Sequence, residues 1–164
     1  MLSDERRKNI HVQIGRLLVQ GNLSSDSFEN VFDICWHFKK RFDIINDPKE
    51  RIEVAYLNLQ AGQKAKRTLA VQVALYYLVF TKGYLPKNHW NNEYDLSHNV
   101  YTELIESYFL LCQFEQVEST AEFILEQTNS LLDKIKVFEI LIQLYMVRIQ
   151  MDLALETSLQ VLDM

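Results

Sequence analysis

The chain has 164 residues, of which 48% are apolar and 24% charged, and it contains only four glycines and two prolines. That length suits a single domain with a sizeable core, and the scarcity of breakers favours long helices. A net charge of −5 offers no general attraction to nucleic acid or anionic membrane, and the longest apolar run, 73–80, is far short of the roughly 20 residues of a membrane span.

In chain order, the start "MLSDERRKNI" places charges where a secretory signal needs its apolar segment, so a cytoplasmic location is expected. Helices are predicted near 4–19, 26–43, 48–66, 69–83, 92–112, 115–127, 131–149 and 152–163. Asp47, Pro48 and Glu50 mark one start, because Asp suits the N-cap, proline is tolerated at the first helical position and a glutamate can complete the capping box. Ser130 and Asp133 mark another in the same way. From there, apolar residues at 131, 135, 138, 142, 145 and 149 recur at steps of three and four, a helical stripe. No strand alternation competes. Short connections force neighbouring helices into antiparallel pairs, so the predicted fold is all-α, a stack of about eight helices in helical hairpins.

The last two pairs superimpose with a shift of 37. Tyr101, Leu104, Tyr108, Cys112, Phe114, Val117, Ala121 and Ile124 fall on Phe138, Leu141, Tyr145, Ile149, Met151, Ala154, Ser158 and Val161. These offsets resemble the tetratricopeptide (TPR) pattern, in which an aromatic and a leucine of one helix pack on small residues of the next. Gly62, Ala65, Ala74 and Leu78 take the corresponding places in the preceding pair, while Cys112 and Ile149 stand where that pattern generally has a glycine in the turn. The expected organisation is one helical-repeat domain over 1–164, with an atypical cap pair at 1–46 and repeats at 47–90, 91–128 and 129–164. In the TPR pattern the first helix of each pair lines a groove. The resemblance implies a partner-binding face at Gln63, Lys66, Arg67, Asn99, Thr102, Glu106, Phe109, Glu139, Gln143 and Met146.

A broader resemblance rests on "IGRLL" (14–18), "VFDICWHF" (31–38), "RIEVAYLNLQAGQKAK" (51–66), "LP" followed by Trp90 and "YDL" (94–96), and "LLDKIKVFEI" (131–140). Together they resemble the helical region that follows the AAA-type ATPase module in large bacterial multi-domain signalling proteins. There a serine/threonine-kinase-like domain and the ATPase precede the helices, and GAF sensor and histidine-kinase domains often follow. The resemblance implies a TPR-like connector with no catalytic residue of its own. It also leads us to expect an excised fragment or truncated homologue, whose last hairpin would otherwise expose an apolar face.

Other chemistries fit less well. Counted from Gly62, a P-loop would need a second glycine at Arg67 and a lysine at Thr68. Lys64, Lys66 and Arg67 are a short basic cluster in an acidic chain, better read as cations at a helix C-terminus than as a nucleic-acid patch. His11, His37, His89 and His98 share no metal-ligand spacing; Cys35 and His37 lie about 200 degrees apart on a helix. Cys35 and Cys112 are expected to be reduced, structural thiols. Trp90, Tyr84, Leu85 and Tyr94 make the 84–95 loop aromatic, as a docking anchor or, preferably, as a plug between hairpins.

The sequence thus points to a non-enzymatic protein-interaction and coupling module. No catalytic, cofactor-binding or metal-binding residue is assigned. The expected partner is a protein, either a neighbouring domain of the same chain or a separate signalling protein, with neither nucleic acid nor membrane as target. A small-molecule-sensing domain and a homodimerising module are the alternatives.

Overall fold

The computed structural model describes residues 4–22, 30–39 and 45–162. Among them the chain forms nine helices and no strand: α1 (Asp4–Asn22), α2 (Val31–Lys39), α3 (Pro48–Arg67), α4 (Val71–Tyr84), α5 (His89–Asn92), α6 (Tyr94–Leu110), α7 (Phe114–Gln127), α8 (Leu131–Val147) and α9 (Met151–Leu162). The ends predicted for the second helix, at 26 and 43, lie outside the described residues. The helix predicted at 92–112 begins two residues later, at Tyr94, because Glu93 adopts φ −134° and ψ 52° and its N–H returns to His89. That break leaves the one-turn α5 ahead of α6.

The two start signals work differently from the capping boxes predicted for them. Asp47 does cap α3, accepting from the Lys49 N–H at 3.2 Å. Glu50 instead turns to Arg16 on α1, which donates to it at 2.6 and 2.7 Å. Ser130 has extended N-cap geometry at the start of α8, yet its side chain makes no cap bond. Asp133 accepts the Tyr94 hydroxyl of α6 at 2.8 Å. Both acidic residues tie helices together instead of closing their own first turn.

Consecutive helices pack as pairs, α1 with α2, α3 with α4, α6 with α7, and α8 with α9, and the three-residue turns inside the last three pairs make those antiparallel. The pairs stack through α2 on α3, α4 on α6 and α7 on α8. The first helices of the last three pairs also touch, α3 with α6 and α6 with α8. One continuous core results, with Leu78, Leu104, Ile105, Ile124 and Leu144 essentially excluded from water. At the α3–α4 crossing a Cβ on Gly62 would lie 2.8 Å from Leu78 Cγ and 3.4 Å from the Ala74 carbonyl. Gly62 therefore serves helix packing. Tyr84 closes the far end of α4 by donating to the Phe38 carbonyl of α2 at 3.0 Å, and burial, with Cys35 nearby, pushes its hydroxyl up to about 12.

The 37-residue repeat is visible in burial. Tyr101 and Phe138, Leu104 and Leu141, and Val117 and Ala154 are buried at matching positions. It is also written in the backbone. Cys112 and Ile149, related by that shift, have φ of 56° and 60°. Each closes its hairpin with a paired turn: Cys112 N–H to Phe109 and Gln113 N–H to Tyr108, then Ile149 N–H to Met146 and Gln150 N–H to Tyr145. The α3–α4 turn is built alike at Leu69, with φ 61° and bonds from Leu69 to Lys66 and from Ala70 to Ala65. These are Schellman turns, whose left-handed residue is usually glycine.

A non-glycine residue there is strained, and Leu69, Cys112 and Ile149 are all exposed, so they recover little by burial. Cys112→Gly and Ile149→Gly are each expected to raise stability by about 0.5–1 kcal/mol, the relief of left-handed strain less the entropic cost of glycine. Urea denaturation would check this, and a loss of stability would contradict the turn assignment. Both cysteines are free, but exposure of Cys112 in its turn corrects the expectation that it is a structural thiol. Cys35 fits that role, since it is buried and pushed up to about 12 by burial.

Candidate interaction groove

The aligned helices α3, α6 and α8 carry one polar ladder. Gln63 on α3 donates to Glu103 on α6 at 3.1 Å. One turn on, the Lys66 ammonium meets both Glu103 and Glu106. Glu106 in turn faces Lys136 of α8 at 3.5 Å. Burial disfavours the Lys66 ammonium, but hydrogen bonds to the two carboxylates outweigh it and raise its pKa. Charge therefore alternates from helix to helix across the layer and fixes the lateral spacing of the three.

Beside the ladder, α6 and α8 enclose a shallow groove of about 280 Å³. Glu106, Phe109 and Leu110 line it from α6, and Lys136, Glu139, Ile140 and Gln143 from α8. Glu139, Gln143 and Met146, at steps of four and three, form an exposed stripe along α8. Leu110 and Met146 are more than half exposed, at 56% and 54%. One end of this surface is charged and the other apolar, a mixture suited to an amphipathic protein segment.

The sequence-predicted residues divide accordingly. Glu106, Phe109, Glu139 and Gln143 come together in the groove, and Gln63 and Lys66 belong to the ladder that supports it. Arg67 and Asn99 are exposed, outside the residues lining the groove. Thr102 is displaced from the predicted face: it is buried, with its hydroxyl 3.5 Å from His98 Nε2. The basic cluster at 64–67 also changes character, because Lys66 is matched by two carboxylates and Lys64 lies 5.5 Å from the centre of the Phe32 ring. Glu103 and Lys136 were missed by sequence reasoning. Their only local signal is the three-residue spacing of Glu103 and Glu106, which is commonplace on solvated helices.

The aromatic segment packs inward. Trp90 on α5 lies 5.4 Å from Tyr101 and 6.0 Å from Phe123, ring centre to ring centre, bridging α6 and α7. Beside it His89 stacks on Tyr101 at 5.9 Å and lies 2.8 Å from Ser97 Oγ. Burial first, and then the charge of Lys82, lowers the His89 pKa below the ordinary 6.5. The unfolded chain takes up this proton first, so His89 favours folding above 6.5, and that contribution is lost as pH falls from 6.5 through the lower folded value. His89→Phe should therefore flatten part of the decline in melting temperature between about pH 7.5 and about pH 5. An unchanged slope would assign that decline to other groups.

Among the described residues no cluster of three or more His, Cys, Asp or Glu side chains is arranged to hold a metal. No helix among them is long and apolar enough to cross a membrane. No family model matches the chain, and no solved structure matches it. Among curated proteins, it is 26% identical over 152 residues to hybrid signal transduction histidine kinase G of Dictyostelium discoideum, an alignment that takes in 79% of this chain and 4% of that protein. The chain is thus distantly similar to one short stretch of a much longer signalling kinase.

Proposed function

We propose that this chain is a TPR-like, non-catalytic protein-interaction and coupling module of a multi-domain signalling protein. The observation that carries the proposal is the groove over α6 and α8, whose lining is held in register by the ladder from α3. The distant likeness to a signal-transduction histidine kinase supports the signalling context. In this reading residues 1–46 cap the array, and 47–90, 91–128 and 129–164 are its repeats. A protein segment lies on the groove with apolar side chains against Phe109, Leu110 and Met146 and a cationic group near Glu139. Small rotations between stacked hairpins then couple the domains on either side, including a nucleotide-dependent one.

The test is a photo-reactive amino acid placed at Gln143 in the groove and, as control, at Glu122 on the exposed side of α7. A protein segment should be captured from Gln143 and not from Glu122. Equal capture at both positions would contradict a groove-specific partner.

A second reading, self-association, is favoured by one observation. Helix α9 packs on α8 and leaves Leu155, Leu159 and Leu162 exposed at 63%, 52% and 80%. Sedimentation should then show a concentration-dependent dimer that Leu159→Glu abolishes, whereas a monomer at all concentrations would dismiss it.

A further inference from the structure

We propose that a cavity between α1, α2 and α3, separate from the groove and independent of its function, binds a small organic cation with an apolar body. The cavity measures about 420 Å³, within the roughly 300–1,000 Å³ of small-molecule sites. Its floor is apolar: Val19 comes from α1, Phe38 from α2, and Val54 and Leu57 from α3. Phe38, Val54 and Leu57 are core residues, so the fold itself fixes that floor. Gly15 explains how the walls are placed. A Cβ there would lie 2.9 Å from the Phe38 ring, so α1 approaches α2 closely at this point, and the cavity lies one turn further along at Val19 and Gln20.

Charge at the rim selects the ligand. Arg16 and Glu50 also line the cavity, but they are joined by two hydrogen bonds of 2.6 and 2.7 Å, and their charges cancel. Glu53, on the same helix as Glu50, is exposed and makes no ion pair among the described residues. Among the described residues, Glu53 thus remains as a carboxylate without an ion-pair partner at the mouth, beside Tyr56 and Gln60. An ammonium or guanidinium group would meet Glu53, with a tyrosine ring and amide oxygens as further partners. Its alkyl or aryl portion would cover the apolar floor. An anion would be set against Glu53, with the Arg16 guanidinium of the cavity rim already engaged by Glu50. A neutral apolar molecule would gain the floor without the charge.

Three probes that share an aryl body separate these cases: benzyltrimethylammonium, phenylacetate and 2-phenylethanol, titrated into the intact chain by calorimetry and by amide NMR. The cation should bind at least about tenfold more tightly than either of the others. Its shift changes should cluster at Val19, Phe38, Val54 and Leu57 and leave Glu139 and Gln143 unmoved. Glu53→Gln, a change at an exposed position, should weaken the cation about tenfold while leaving 2-phenylethanol unaffected. Glu53→Lys should reverse the preference toward phenylacetate, with circular dichroism verifying that both variants are folded. Three results would overturn the proposal: no localised shifts with the cation up to about 10 mM, equal affinity for all three probes, or cation affinity unchanged by Glu53→Gln.

Discussion

Replacing Gly62 by valine, or Ala74 by leucine, is expected to cost about 1–3 kcal/mol by overpacking the α3–α4 crossing. A Cβ at residue 62 already meets Leu78 Cγ at 2.8 Å, and Ala74 is fully buried with its carbonyl on the same contact. Neither helix can retreat freely, because α3 also packs on α2 and α6, and α4 on α6. The neighbouring Val73 is 46% exposed, so Val73→Leu should shift stability by no more than about 0.5 kcal/mol. Urea denaturation of the three variants distinguishes a packing register from general sensitivity of α4, since equal losses would mean that the register is wrong.

Lys66→Ala is expected to cost about 2 kcal/mol, between the values for surface and for buried ion pairs. Sequence alone suggests that this change leaves folding nearly untouched. The ladder reverses that expectation: the Lys66 side chain is 20% exposed, and its removal leaves Glu103 and Glu106, at 18% and 30%, facing each other with less compensation. Arg67→Ala, at an exposed position with no ion pair among the described residues, should change stability by less than about 0.5 kcal/mol. The double variant Lys66→Ala, Glu103→Ala should recover part of the loss, because it removes an orphaned charge. The Lys66 contribution has a defined pH window. It is fully present below the ordinary lysine value of 10.5 and is lost only as pH rises through the higher folded value. A lysine variant as stable as wild type at neutral pH would remove the ladder as the support of the groove.

Local pattern made most of the helical array legible. The Asp47–Pro48 start and the small residues Gly62 and Ala74 each report on a single helix start or on one close crossing, and the structure uses them in those places. The apolar stripe predicted from 131 to 149 located α8 but not its buried face, since only Phe138 of that stripe is buried while Val137, Ile140, Leu141 and Leu144 fill the core. The break between α5 and α6 left no such mark, because Glu93 is neither glycine nor proline. Leu69 gave no warning of its left-handed turn, whereas the 37-residue alignment had already placed Cys112 and Ile149 at the turn position. The ladder was hidden for a different reason. Gln63 and Lys66 meet partners 40 residues away, and that pairing depends on how α3 and α6 lie side by side. Thr102 was misplaced because it sits one position before Glu103, on the side of α6 that turns away from the ladder and toward His98.

The central claim is that a protein segment seats on the α6–α8 groove. Its most direct measurement is calorimetric binding of the segment captured at Gln143 to wild type and to the paired variant Glu139→Lys, Met146→Glu, both changes being at exposed positions. The expected result is affinity weakened at least about tenfold with an unchanged melting temperature. Equal affinity for wild type and the groove variant would contradict the claim.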